Sequence, residues 1–236
     1  MKQFFPYLRS IDAAWLATWI LIFVCFLTLE AFFPDFWGVS TLKVVGIALC
    51  VLYACQKFRE DTLLIVALSF TFLADIILAI NNVSVFGVII FCCAQLSHVA
   101  RLSGMRPKVF ITGIIMIVTV FVTLALIGAD SMFAIAGVYG GLLFTNIILS
   151  IRWFSTKKSV ASNCAAIGFI LFFMCDLCVG FSYLSNIGAI PPEFQRFANY
   201  LAWVFYYPSQ VLISNSSNYS KKKHRTISTS MQKARS

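Results

Sequence analysis

The chain has 236 residues, of which 60% are hydrophobic, 16% aromatic and only 11% charged, with a mean hydropathy of +0.89 and a formal charge of +9. Those values exclude a soluble globular domain and point to an integral membrane protein. The excess charge needs no nucleic acid to explain it, because the basic residues cluster between apolar runs and in the last stretch of the chain.

A helix must carry about 20 apolar residues to cross roughly 30 Å of hydrocarbon. Runs of that length lie at 13–32, 39–56, 62–80, 84–102, 108–128, 131–153, 161–184 and 197–214. The expected fold is therefore all-α, a polytopic bundle of eight transmembrane helices forming one domain over 1–214. The first run is too long for the core of a cleavable signal, so Met1 is expected to be retained.

Basic residues recur at alternate connections: Lys2 and Arg9 before span one; Lys57 and Arg59 after span two; Arg101, Arg106 and Lys108 after span four; Arg152, Lys157 and Lys158 after span six. The segment from Lys221 to Arg235 continues the series. The intervening loops carry Asp35, Asp130 and Glu193, with Arg196 as the basic exception. The positive-inside rule then places both termini in the cytoplasm. Residues 215–236 read as a disordered basic tail, with contact to anionic headgroups as one alternative to plain solvation. The sequons at 215 and 218 fall on the cytoplasmic side and are expected to be inert.

All eight cysteines lie in or at the ends of apolar spans, so no disulfide framework is expected. The pair Cys175 and Cys178 reads as helix packing. With only His98 and His224 in the chain, a three-histidine metal site cannot be built within the bundle, and neither metal nor cofactor is expected.

Two carboxylates interrupt the apolar helices. Span three reads ALSFTFLADIILAI and span seven GFILFFMCDLCVGF, each with Phe three residues before Asp: Phe72 and Asp75, Phe173 and Asp176. Spans four and eight repeat an aromatic four residues before Gln: Phe91 and Gln95, Tyr206 and Gln210. Spans four apart run in the same direction, so the pattern points to two parallel four-helix repeats about an axis along the membrane normal. Asp75 and Asp176 would approach that axis at similar depth. Intramembrane acids are costly and line functional sites by default. Lys43 and Glu30 enter from the outer side and could join them, while Gln95, His98, Tyr206, Tyr207 and Gln210 lie deeper. Each has a plainer reading as well: Lys43 can snorkel, the tyrosines and Gln210 can serve as interhelical contacts, Pro208 can kink its helix, and His98 can be a packing residue.

The order STLKVV, LSFTFLADIILA, FGVIIFCCAQLSHVARL, GFILFFMCDLCVGF and VFYYPSQVLI resembles the YhhN family of eight-span proteins, which includes the lysoplasmalogenases. The resemblance spans the second to eighth helices and carries over Lys43, Asp75, Asp176, Tyr206, Tyr207 and Gln210, with Gly87 and Phe91 in the frame of span four. Val44, Ala74 and Cys175 replace the family's Pro, Gly and Ser, and Gln95 stands where the family pattern has His.

The resemblance implies hydrolysis of the vinyl ether bond of a lysoplasmalogen, a single-chain phospholipid, to a fatty aldehyde and a glycerophospho-alcohol. That chemistry needs a proton donor, a nearby anion and positioned water. One of Asp75 and Asp176 would act as general acid and the other as stabilising anion, in either assignment. Lys43 would tune the pair or bind the phosphate, and Gln95, Tyr206, Tyr207 and Gln210 would orient water or the glycerol portion. A proton-coupled transporter or a lipid-binding membrane protein without hydrolase activity is the alternative that the same residues allow.

Overall fold

The computed structural model describes residues 13–33, 37–80, 84–104, 131–186 and 193–217, with single positions between 111 and 122 and at 188, 189 and 191. The described residues form seven helices and no strand: α1 Ala13–Phe32, α2 Trp37–Lys57, α3 Thr62–Ile80, α4 Val85–Ser103, α5 Ser131–Lys157, α6 Val160–Asn186 and α7 Glu193–Ser214. Helices α1 to α6 are each long and apolar enough to cross a membrane. Apart from those single positions, the expected span over 108–128 lies outside the described residues, as does the tail from 218 onward.

Local chemistry sets the helix ends. Asp61 Oδ1 accepts from the Leu64 amide at 3.3 Å and caps α3. At α6 the capping is reciprocal: Ser159 Oγ accepts from the Ser162 amide at 3.1 Å, and Ser162 Oγ accepts from the Ser159 amide at 3.0 Å. Helix α4 begins at Ser84 and stops at Gly104, whose φ of 63° suits a residue without Cβ.

Consecutive helices pack along the series, α7 closes back onto α2, and α1 lies across α2 and α7. Trp19 and Phe26 of α1 fill that seam, with Trp19 edge-on to Tyr53 and Phe26 edge-on to Tyr207. The outer faces are also apolar, as with Phe86 at 74% exposure, because lipid solvates them as well as a core would.

Helix α7 inverts the usual pattern. It buries Tyr206, Tyr207, Ser209, Gln210 and Ser214 and turns Phe194 and Phe197 outward. Its polar groups, including Glu193 and Arg196, keep it from matching the apolar length and composition of α1 to α6. It remains helical through Pro208. Helices α6 and α7 pack most extensively, and Gly168 makes this possible: a Cβ there would stand 3.2 Å from both the Ile213 amide nitrogen and the Ser209 carbonyl oxygen.

One end of the bundle is fastened by an ion pair. Arg101 Nε and Asp61 Oδ2 lie 3.0 Å apart with both side chains under 10% exposed, and Arg101 also donates to Ser216 Oγ and to the Ser216 carbonyl. Residues 215–217, which the sequence places at the start of a disordered tail, are therefore buried instead. The reason is that a buried guanidinium needs acceptors, and Ser216 supplies two of them. Asn215 turns its amide inward onto the Val211 carbonyl at 2.7 Å.

Candidate functional site

Asp75 is 8% exposed on the inner face of α3, and Tyr206 of α7 donates its hydroxyl between the two carboxylate oxygens, at 2.8 Å to Oδ1 and 2.7 Å to Oδ2. Asp176 of α6 has a tyrosine of its own: Tyr139 of α5 donates to Oδ2 at 2.7 Å. Each carboxylate is thus oriented by one phenol from a facing helix.

An aromatic bridge runs between the two pairs. Tyr139 lies 5.8 Å from Phe91, Phe91 is 6.2 Å from Phe172, and Phe172 is 5.5 Å from Tyr206, all between ring centroids. Phe91 and Phe172 thus link the two carboxylate–tyrosine pairs by ring contacts. Among the described residues no hydrogen bond joins the carboxylates directly.

Lys43 does not pair with either acid. Its ammonium bonds Glu30 at 2.5 Å and lies 4.4 Å from the centre of the Trp203 ring, which packs 5.2 Å from Tyr206. The route from Lys43 to Asp75 thus passes through two aromatic rings. Tyr207 points to the other side of α7, stacked on Phe23 and pressed against Gly46, where any larger residue would collide with its ring. Of the sequence candidates it stands apart from the carboxylates and serves the α1–α2–α7 seam.

Gln95 is fully buried. Asn146 of α5 donates one amide hydrogen-bond pair to it, at 2.8 Å to the side-chain oxygen and 2.9 Å to the backbone carbonyl. Gln210 reaches Ser209 Oγ at 3.4 Å. His98, one turn from Gln95, sits edge-on to Phe169 at 5.1 Å, a packing contact.

Tyr139, Trp203, Asn146 and the Asp61–Arg101 pair are the participants that sequence reasoning missed. Tyr139 and Asn146 break an otherwise apolar and small-residue helix, which was the available signal for both. Asp61 falls in the connection between two spans and drew no reading, and Arg101, at the end of its span, counted only toward membrane side.

The arrangement holds two buried carboxylates, each bonded by a phenol and linked through aromatic rings, and a Lys43–Glu30 ion pair joining α1 and α2. No curated protein and no solved structure matches the chain. A family model described as the YhhN family matches residues 36–217, a stretch that takes in α2 to α7 and both carboxylates with their tyrosines. This protein is a membrane protein belonging to the YhhN family.

Proposed function

We propose that the chain is a lysoplasmalogenase-like hydrolase that opens the vinyl ether bond of a lysoplasmalogen within the bilayer. The observation that carries this reading is the pair of intramembrane carboxylates, Asp75 and Asp176, each held by a tyrosine hydroxyl in one aromatic-walled site.

The reaction starts with proton transfer from one carboxyl group to the β carbon of the vinyl ether. A C–H bond forms, and positive charge spreads over the α carbon and the ether oxygen, where the second carboxylate stabilises it. Water adds to the α carbon and returns a proton to the carboxylates, leaving a hemiacetal. Cleavage of the hemiacetal C–O bond, with a carboxyl group protonating the glycerol oxygen and the hemiacetal hydroxyl returning its proton to the carboxylates, releases aldehyde and glycerophospho-alcohol. One water is consumed and the carboxylates end as they began. Lys43, outward of the acids, is the phosphate partner, and Trp203 lies between headgroup and acid pair.

The basic connections support an orientation with both termini in the cytoplasm. An impermeant thiol reagent should label a cysteine placed near Lys157 only from the inner side, and labelling from outside would reverse the topology.

A second reading, a proton-coupled transporter or lipid-binding protein, draws on Gln95. This amide, locked to Asn146 where the family pattern has His, cannot exchange a proton. Incubation of purified protein with lysoplasmalogen and with its saturated alkyl analogue separates the readings: the hydrolase releases aldehyde from the first alone. Asp75→Asn and Asp176→Asn should each lower that turnover by about a hundredfold or more while the proteins insert and purify normally. Near-normal turnover in either variant removes that residue from the mechanism.

A further inference from the structure

Between the acid pair and the Arg101 clamp lies a layer of polar side chains, among them Gln95 and Gln210, that the reaction steps above do not use. The clamp fixes the register of this layer. Gln95 is six residues before Arg101 on α4, Gln210 is six before Ser216, which lies two residues past the end of α7, and Arg101 is bonded to Ser216. At 1.5 Å per residue both amides stand roughly 9 Å above the clamp, with His98 at about 4.5 Å. Asp61 is bonded to the same guanidinium, so Thr71, ten residues on, stands at roughly 15 Å and Asp75 at roughly 21 Å. A polar ladder therefore climbs from the clamp to the first carboxylate.

Its rungs are buried and incompletely bonded. Thr71, Gln95, His98, Asn146 and Gln210 are all at most 1% exposed. Among the described residues, Thr71 Oγ1, Gln95 Nε2, His98 Nδ1, Asn146 Oδ1 and Gln210 Oε1 have no hydrogen-bond partner. The set mixes a donor, acceptors and a hydroxyl able to do both, and it contains no carboxylate and no thiolate. Arg101, the nearest cation, is engaged by Asp61 and Ser216. Such a lining does not suit an anion or a metal ion. It suits a small neutral molecule that donates and accepts at once, with two to four polar partners in reach.

We propose that Thr71, Gln95, His98, Asn146 and Gln210 bind a column of ordered water beneath the acid pair, and that this column supplies the water that the hydrolysis consumes. The binding stands on the geometry alone, whereas the supply role rests on the hydrolase reading.

Radiolytic labelling of the full chain in nanodiscs, in water enriched in oxygen-18, tests the site directly, because bound water near a side chain oxidises it even where bulk solvent cannot reach. His98 should be labelled at least fivefold faster than Phe26, which is equally buried among aromatic rings. Gln95→Leu should lower the His98 rate severalfold. Equal labelling of His98 and Phe26 in the parent protein overturns the water column, and this comparison needs no variant to fold. In turnover, Gln95→Leu should lower kcat about tenfold with KM little changed. Unchanged kcat alongside lost labelling would overturn the supply role. A parent protein that releases no aldehyde would instead sink the hydrolase reading, and the labelling would still decide whether the column exists.

Discussion

Replacing Tyr206 with Phe removes a single hydroxyl from the centre of the site. The ring is fixed independently, by Trp203 at 5.2 Å and Phe172 at 5.5 Å, so its packing survives the change. What is lost is the hydrogen bond shared by the two oxygens of Asp75, at 2.8 and 2.7 Å, in a place with 8% exposure. A hydrogen bond to a charged group contributes about 1.5–3 kcal/mol, and each 1.36 kcal/mol of lost transition-state stabilisation is a factor of ten in rate. Tyr206→Phe should therefore lower kcat for lysoplasmalogen by roughly ten- to a hundredfold. Aldehyde release from nanodisc-held protein measures the rate, and the thermal midpoint reports on folding. A kcat within twofold of the parent, at an unchanged midpoint, would refute the idea that this phenol orients a working carboxylate. Tyr139→Phe offers the matching measurement on Asp176.

Arg101→Met leaves Asp61 buried without its guanidinium and should destabilise the protein by about 3–5 kcal/mol, seen as a lowered thermal midpoint; the double change with Asp61→Leu should recover much of that loss, and no recovery would argue against the ion pair as the cause. Gln95→His restores a group able to exchange protons, and a gain in turnover of about a hundredfold would show that the natural residue limits the chemistry. Equal, substantial activity in both would leave position 95 with a positioning role.

The helices and the two carboxylates were legible from the sequence because each rests on a one-dimensional signal: length of apolar run for α1 to α6, and an acid inside such a run for Asp75 and Asp176. Tyr206 was found through its spacing to Gln210. The partnerships were not legible, since they join residues far apart in the chain. Tyr139 lies 37 residues from Asp176, and Tyr206 lies 131 from Asp75. Lys43 illustrates the difficulty: charge alone allowed a cluster of Lys43 with Glu30, Asp75 and Asp176, and the packing of α1 on α2 gave it to Glu30. Arg101 was misleading in a different way. Position after an apolar span made it a marker of membrane side, yet Asp61 and Ser216 draw it under the surface.

Helix α7 carries its polar residues inward and lacks the uniform apolar character of the helices before it. During synthesis it has little reason to partition into lipid on its own; its serines bond carbonyls of their own helix, and Tyr206 finds its partner Asp75 only on a helix already in place. Insertion of this segment is then templated by the bundle. Because it brings Tyr206 to Asp75 and Ser216 to Arg101 in one docking event, a nascent chain that has not yet received it holds an unoriented acid and an open end. The Asp75–Tyr206 pair and the seal of the bundle are completed together.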